Sequence, residues 1–256
     1  MAKKHVRKDG AEKAAETLES PQDNSPYVFQ RNKIKNPIWL RSLKWTDKQK
    51  AFFEIANKKD MRVMLIKGPA GSSKTFLSVF SALKLLNERK ISDLIYLRSA
   101  VESSDAHIGH LPGSQEEKMA VYNAPFYDKL EEITNKQDRD FLFKDARLNT
   151  VPINFIRGLS WNSKAIIGDE MQNSTQKEII TILTRLGHFS RCFLLADPQQ
   201  SDLNGKSGGF ERIYNLFHNK ESAQNMGIYT FEFTSEDVVR SELVAYITKE
   251  LENLPK

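Results

Sequence analysis

The sequence predicts an α/β fold with a parallel sheet flanked by helices. Three observations predict it. A short apolar run, Arg62-Val63-Met64-Leu65-Ile66-Lys67, leads into Gly68-Pro69-Ala70-Gly71-Ser72-Ser73-Lys74-Thr75, and an apolar-periodic segment begins at Phe76. A second apolar run, Leu94-Ile95-Tyr96-Leu97, follows at the distance of one helix. Strand, helix and strand of this size form a βαβ unit with a right-handed crossover and parallel strands. A third run, Ala165-Ile166-Ile167-Gly168, ends in the acids Asp169-Glu170.

The 256 residues suffice for one α/β domain or two small ones with a sizeable core. The longest apolar runs, such as Cys192-Phe193-Leu194-Leu195-Ala196, are strand-sized. None approaches the ~18 residues of a membrane span, and no apolar leader follows Met1. No membrane partner and a cytoplasmic location are expected, in the host cytoplasm if the chain is phage-encoded. A single cysteine, Cys192, excludes an internal disulfide and fits a reducing compartment. The five histidines lack partners at zinc spacing.

Residues 1–25 are polar and lysine-rich and are broken by Pro21, so a disordered segment is expected there, with residues 26–256 forming one domain. Between Arg31 and Lys50 stand seven cations against Asp47 alone, interleaved with Trp39 and Trp45. Such a strip suits single-stranded nucleic acid, where cations meet phosphates and rings stack on bases. It equally suits a solvated surface whose tryptophans turn into the core. The net charge of +5 permits a polyanion without requiring one.

Thr46-Asp47-Lys48-Gln49 starts a helix, with Thr46 as N-cap, Gln49 at N3 and Phe52, Phe53 and Ile55 facing inward. Gln49 can also read adenine, since its amide both donates and accepts. The loop Gly68, Pro69, Ala70, Gly71, Ser72, Ser73, Lys74, Thr75 stands between strand and helix, as a phosphate-binding loop must. Its backbone N–H groups and the positive helix end make an anion site. Lys74 would reach the β- and γ-phosphates, and Thr75 would ligate Mg²⁺. The alternative is a tight strand–helix turn. Ser73 stands where such loops carry Gly, so it must either avoid positive φ or accept strain.

After the second strand, Lys118–Ile133 is too long for an ordinary connection and reads as a helical insertion. Lys129–Arg139 alternates in charge as a solvated helix does, and Ile153–Ile156 reads as a strand. Asp169 at its strand end can hold Mg²⁺, and Glu170 can orient and deprotonate a water. The pair could also be only a helix N-cap. Gln176–Leu186 is amphipathic and is expected to end at Gly187 as the C′ residue. The strand Cys192–Ala196 leads to Asp197-Pro198-Gln199-Gln200, where Gln200 can bond the γ-phosphate or the water, unless this is a plain Asp-Pro turn. Asn219–Met226 is polar and reads as a surface connection, Ile228–Phe233 alternates as a strand, and Asp237 opens a terminal helix. Arg240 is a candidate arginine finger, or else pairs with Glu236.

These pieces together resemble the PhoH-like family of P-loop ATPases, which is related to the superfamily 1 helicases. The resemblance runs from about Trp45 to Leu251. It rests on Gly68–Thr75, Arg98–Glu102, Gly109–Gly113, Tyr122 with Pro125–Asp128, Ile156–Gly158, Asp169–Asn173, Leu183–Gly187, Asp197–Gln200, Ser207-Gly208 and Asp237–Ser241. It implies a RecA-like domain that binds and hydrolyses ATP with Mg²⁺, lined by Lys74, Thr75, Asp169, Glu170 and Gln200. It also implies a homo-oligomeric ring, with a hexamer as the expected form, ATP between neighbours and Arg240 or Arg185 reaching across. RNA or single-stranded DNA is the implied partner. Ser73, His110 and Ala196 depart from the family pattern without removing a catalytic side chain.

Three functions remain open on the residues. An ATPase motor would turn over ATP faster on RNA or single-stranded DNA. A small-molecule kinase would need an acceptor and would not want Glu170 activating water. A nucleotide-regulated nucleic-acid-binding or scaffold protein would bind ATP with little turnover.

Overall fold

The computed structural model describes residues 34–98, 115–201 and 208–238 and the positions Leu243, Tyr246, Ile247 and Glu250. Six strands form one sheet: β1 (Val63–Lys67), β2 (Asp93–Arg98), β3 (Leu148–Pro152), β4 (Lys164–Asp169), β5 (Arg191–Ala196) and β6 (Ile228–Glu232). Their order is β3-β2-β4-β5-β1-β6, and every neighbouring pair is parallel. The expected parallel α/β core is therefore present. The glycine-loop strand β1 and the acid-bearing strand β4 are not neighbours, because β5 lies between them.

Side chains alternate along each strand, so consecutive residues enter opposite layers. Met64, Ile66, Leu94, Tyr96, Ala165, Ile167, Phe193 and Leu195 pack into one buried cluster. There they meet Phe52 of α1 (Asp47–Ala56), Leu77 and Leu83 of α2 (Lys74–Asn87), and Phe126 and Leu130 of α3 (Gln115–Ile133). Leu65, Ile95, Leu97, Ile166 and Leu194 enter the second cluster. That layer is closed by Ile179 and Ile182 of α5 (Gln176–Leu183) and by Phe210 and Tyr214 of α6 (Gly209–Phe217). Both faces being covered explains why the strands read as continuous apolar runs.

Four local expectations are corrected. Residues 153–155 form a single 3₁₀ turn, and the strand lies earlier, at β3. β3 is an edge strand with Pro152, which has no N–H to donate, as its last residue, and Phe155 beyond it is 71% exposed. The solvated helix expected over Lys129–Arg139 is interrupted. α3 ends at Ile133, and Asn135 caps a separate helix α4 (Lys136–Lys144) by accepting from the Asp138 N–H. α5 ends at Leu183, three residues early. Gly187 is not left-handed; its N–H donates to the Trp161 carbonyl at 2.7 Å. A side chain there would put its Cβ 1.9 Å from Asn162 Oδ1, so glycine serves close approach rather than capping. The stretch around Glu221–Asn225, read as a plain surface connection, forms the short helix α7.

Candidate functional site

The C-terminal ends of β1, β4 and β5 open into a cavity of about 640 Å³. Ligands in open parallel sheets bind at this end of the strands. Its middle is the loop after β1. The Gly68 N–H donates to the Ala196 carbonyl, and a Cβ at Gly68 would sit 2.6 Å from that of Phe233, so the loop can turn here only without a side chain. Ser72 is buried, and its hydroxyl closes the turn onto the Pro69 carbonyl at 2.8 Å. Ser73 has φ 64° and ψ 16°, a left-handed conformation, and supplies no side-chain cap to α2. The doubt attached to this position resolves as strain accepted, not avoided. With no acid in the first turn of α2, the helix start keeps its positive end available to an anion.

Lys74 bends back along the loop, donating to the Gly68 and Pro69 carbonyls at 2.6 and 2.7 Å. Burial pulls its ammonium below the ordinary lysine range, while Asp197, Asp169 and Glu170 oppose that shift. Thr75 donates its hydroxyl to Asp169, 3.1–3.2 Å from both carboxylate oxygens. Asp169 is buried, and burial raises its carboxyl above the usual carboxylate range. The Tyr96 and Thr75 hydroxyls and the Glu170 N–H act in the opposite direction.

Glu170 is, after Ser73, the second non-glycine residue with left-handed backbone on the cavity wall, at φ 57° and ψ 38°. Its Oε2 accepts from Gln172 Nε2 at 2.6 Å, and Gln172 Oε1 accepts from the Asp197 N–H at 3.2 Å. The glutamine thus ties the end of β4 to the end of β5. Asp197 caps the turn Pro198–Gln200 and is itself raised by burial, with Lys74 opposing. Gln200 is exposed and lines the cavity. Gln49 is buried, and its Oε1 accepts from the Thr46 N–H at 3.1 Å, so the expected capping box is formed. Gln49 also lines the cavity, beside Leu43, Trp45 and Phe76.

The fold therefore brings Gln49, Lys74, Thr75, Asp169, Glu170 and Gln200 to one cavity. Arg240 lies outside the described residues, as do the motif pieces 99–102, 109–113, 207 and 239–241. Arg185 stands in the turn after α5, away from the cavity wall. Trp45 packs against Phe53 and Phe80, whereas Trp39 is 50% exposed, so the two tryptophans of the basic strip part company. Two polar residues were missed. Gln172 was noted only as part of a motif. Tyr96 looked like one more apolar strand residue, although a buried Tyr hydroxyl needs a partner.

Mg²⁺ fits the donor set. It favours oxygen ligands and takes one or two carboxylates together with substrate phosphates. Thr75 and Asp169 offer a hydroxyl and a carboxylate in contact at the cavity floor. Among the described residues no cluster of three His, Cys, Asp or Glu side chains could cage a metal without a substrate. Nor, among them, is any helix long and apolar enough to cross a membrane.

The family described as PhoH-like protein matches residues 43–252. A PhoH-like protein of Bacillus subtilis is 35% identical over 182 residues, covering 70% of this chain and 55% of the relative. One from Mycobacterium bovis is 33% identical over 181 residues, covering 70% of this chain and 50% of the relative. The chain thus spans about half the length of the curated relatives it matches. Among solved structures, the large terminase of a thermophilic bacteriophage aligns with 79% of this chain and 49% of its own, at 12% identity and a TM-score of 0.47.

Proposed function

This chain belongs to the PhoH-like family, and on that premise we propose that it is a Mg²⁺-dependent ATPase that assembles as a ring and works on RNA or single-stranded DNA. The observation that carries the reading is the meeting of Lys74, Thr75, Asp169 and Glu170 at one cavity, although Thr75 and Asp169 lie 94 residues apart in sequence. A turn with an incidental lysine would not need that convergence.

ATP would lie across the cavity, its base near Gln49 and Trp45 and its phosphates against the loop. The amide nitrogen of Gln49 would donate to the base while its oxygen keeps the cap. Lys74 would leave the carbonyls of Gly68 and Pro69 to neutralise the β- and γ-phosphates. Thr75 and Asp169 would hold Mg²⁺, which would neutralise charge on the phosphates. Glu170, oriented by Gln172, would take the proton of the attacking water, and Gln200 would bond that water or the γ-phosphate. Arg240 of a neighbouring subunit would stabilise the charge on the transferring phosphoryl group.

The nucleic-acid part rests on Lys35, Arg41, Lys44 and Lys50, which are exposed, as is Trp39. A second reading, tight binding with little turnover, draws on Ser73, whose left-handed backbone departs from the usual glycine. Phosphate release separates the two. Lys74→Ala and Glu170→Gln each abolish turnover under the first, while under the second the parent chain binds ATP and releases no phosphate. Mixing Arg240→Ala with Lys74→Ala subunits restores part of the activity if sites are shared, and no rescue in a confirmed oligomer refutes the sharing.

A further inference from the structure

We propose that Tyr96 is a positioning residue for the Asp169 carboxylate, clamped by Phe126 of α3, so that the helical insertion sets how strongly the site prefers Mg²⁺-nucleotide over nucleotide alone. The proposal rests on the ATP-site reading given above and deepens it.

The sheet register creates the contact. Arg98 on β2 lies opposite Asp169 on β4, and Tyr96 opposite Ile167. Tyr96 and Asp169 therefore point to the same face of the sheet, two residues apart along the strands. The Tyr96 hydroxyl reaches Asp169 Oδ2 at 2.7 Å, shorter than the Thr75 contact to the same carboxylate.

Among the described residues, Thr75 and the Glu170 N–H also donate to this carboxylate, and both are parts of the site itself. Tyr96 is anchored elsewhere. Its ring is 1% exposed and stacks on Phe126 with centroids 4.6 Å apart and planes 13° from parallel. Phe126 is fully buried and belongs to α3, the segment that joins β2 to the rest of the sheet by more chain than a connection needs. A line of direct contacts thus runs from the insertion through two rings to the carboxylate. A carboxylate must be held in one orientation to meet a cation, and a charge-assisted hydrogen bond does this. Any movement of α3 that releases Phe126 would loosen the hydroxyl's hold on Asp169.

The test measures binding of a fluorescent N-methylanthraniloyl ATP in Mg²⁺ and in excess EDTA, on the full chain. Tyr96→Phe keeps the ring and removes only the hydroxyl. The expected result is that it loses about tenfold of the affinity gained from Mg²⁺, as one charged hydrogen bond implies, while affinity in EDTA stays within about twofold. Phe126→Leu is expected to lose about threefold of the same gain, since it loosens the clamp and keeps the hydroxyl. An unchanged Mg²⁺ gain in Tyr96→Phe overturns the proposal. So does an equal loss with and without Mg²⁺, which marks a structural role. If Tyr96→Phe fails to fold, Phe126→Leu decides by the same two outcomes. Lys74→Ala separates the two claims. If the parent chain shows no binding that Lys74→Ala removes, the ATP site itself is refuted and this proposal with it.

Discussion

Ser73 and Glu170 both hold left-handed backbone with a side chain attached, and both line one cavity. Each such residue costs of order 1 kcal/mol, and strain of this kind gathers where a site needs a shape its sequence does not prefer. Ser73→Gly should therefore raise the thermal stability of the nucleotide-free chain by about 1 kcal/mol, measured by calorimetry. A lowered midpoint would mean that the Ser73 side chain contributes more than its backbone costs. Asp169 gives the opposite kind of tension. Its carboxyl is raised by burial, so the folded chain holds a proton there more readily than the unfolded chain does. Stability from this group is complete at low pH and is lost as pH rises through the raised folded value. Asp169→Asn removes the penalty. At neutral pH it should raise the midpoint by about 2–4 °C, roughly 1 kcal/mol for a chain of this size, while abolishing any Mg²⁺ gain in nucleotide affinity. The stability advantage should shrink as the solution is acidified toward the ordinary carboxylate range, because the parent chain then takes up its proton.

At the scale of elements, the strands β1, β2, β4 and β5 were legible because both of their faces are covered, which leaves an unbroken apolar run in the sequence. The edge strand β3 was not, since Leu148–Pro152 includes Asn149 and Thr150, and the more apolar Ile153–Ile156 beside it turns out of the sheet. The start of α1 was readable in Thr46 and Gln49, whose capping box is local chemistry. The end of α5 was not. Its stop is set by the chain's return to Trp161, 26 residues from Gly187, and no window of neighbours contains that contact. Gly187→Ala tests the explanation. With Cβ placed against Asn162 and the Trp161 carbonyl, it should cost about 2 kcal/mol or more in chemical denaturation. A helix-capping role at positive φ would give a smaller loss of about 1 kcal/mol.

At the scale of the whole molecule, the sequence placed the site's acids, lysine and glutamines but not their wiring. Lys74, Thr75, Asp169 and Glu170 sit in runs whose chemistry is local. Tyr96 and Gln172 bond partners at or just past the ends of other strands, Asp169 and Asp197 respectively, so only the register of β2, β4 and β5 exposes them. The resulting frame joins three strand ends, two helix starts and the insertion α3 around one cavity. That frame accounts for ATP turnover if Lys74 meets phosphate and Glu170 meets water. The most direct test is phosphate release from ATP, with and without Mg²⁺, by the parent chain, Lys74→Ala and Glu170→Gln, in the presence and absence of RNA and single-stranded DNA. The account predicts Mg²⁺-dependent release that nucleic acid raises and that each substitution lowers at least a hundredfold. Turnover that survives either substitution above half the parent rate would contradict it.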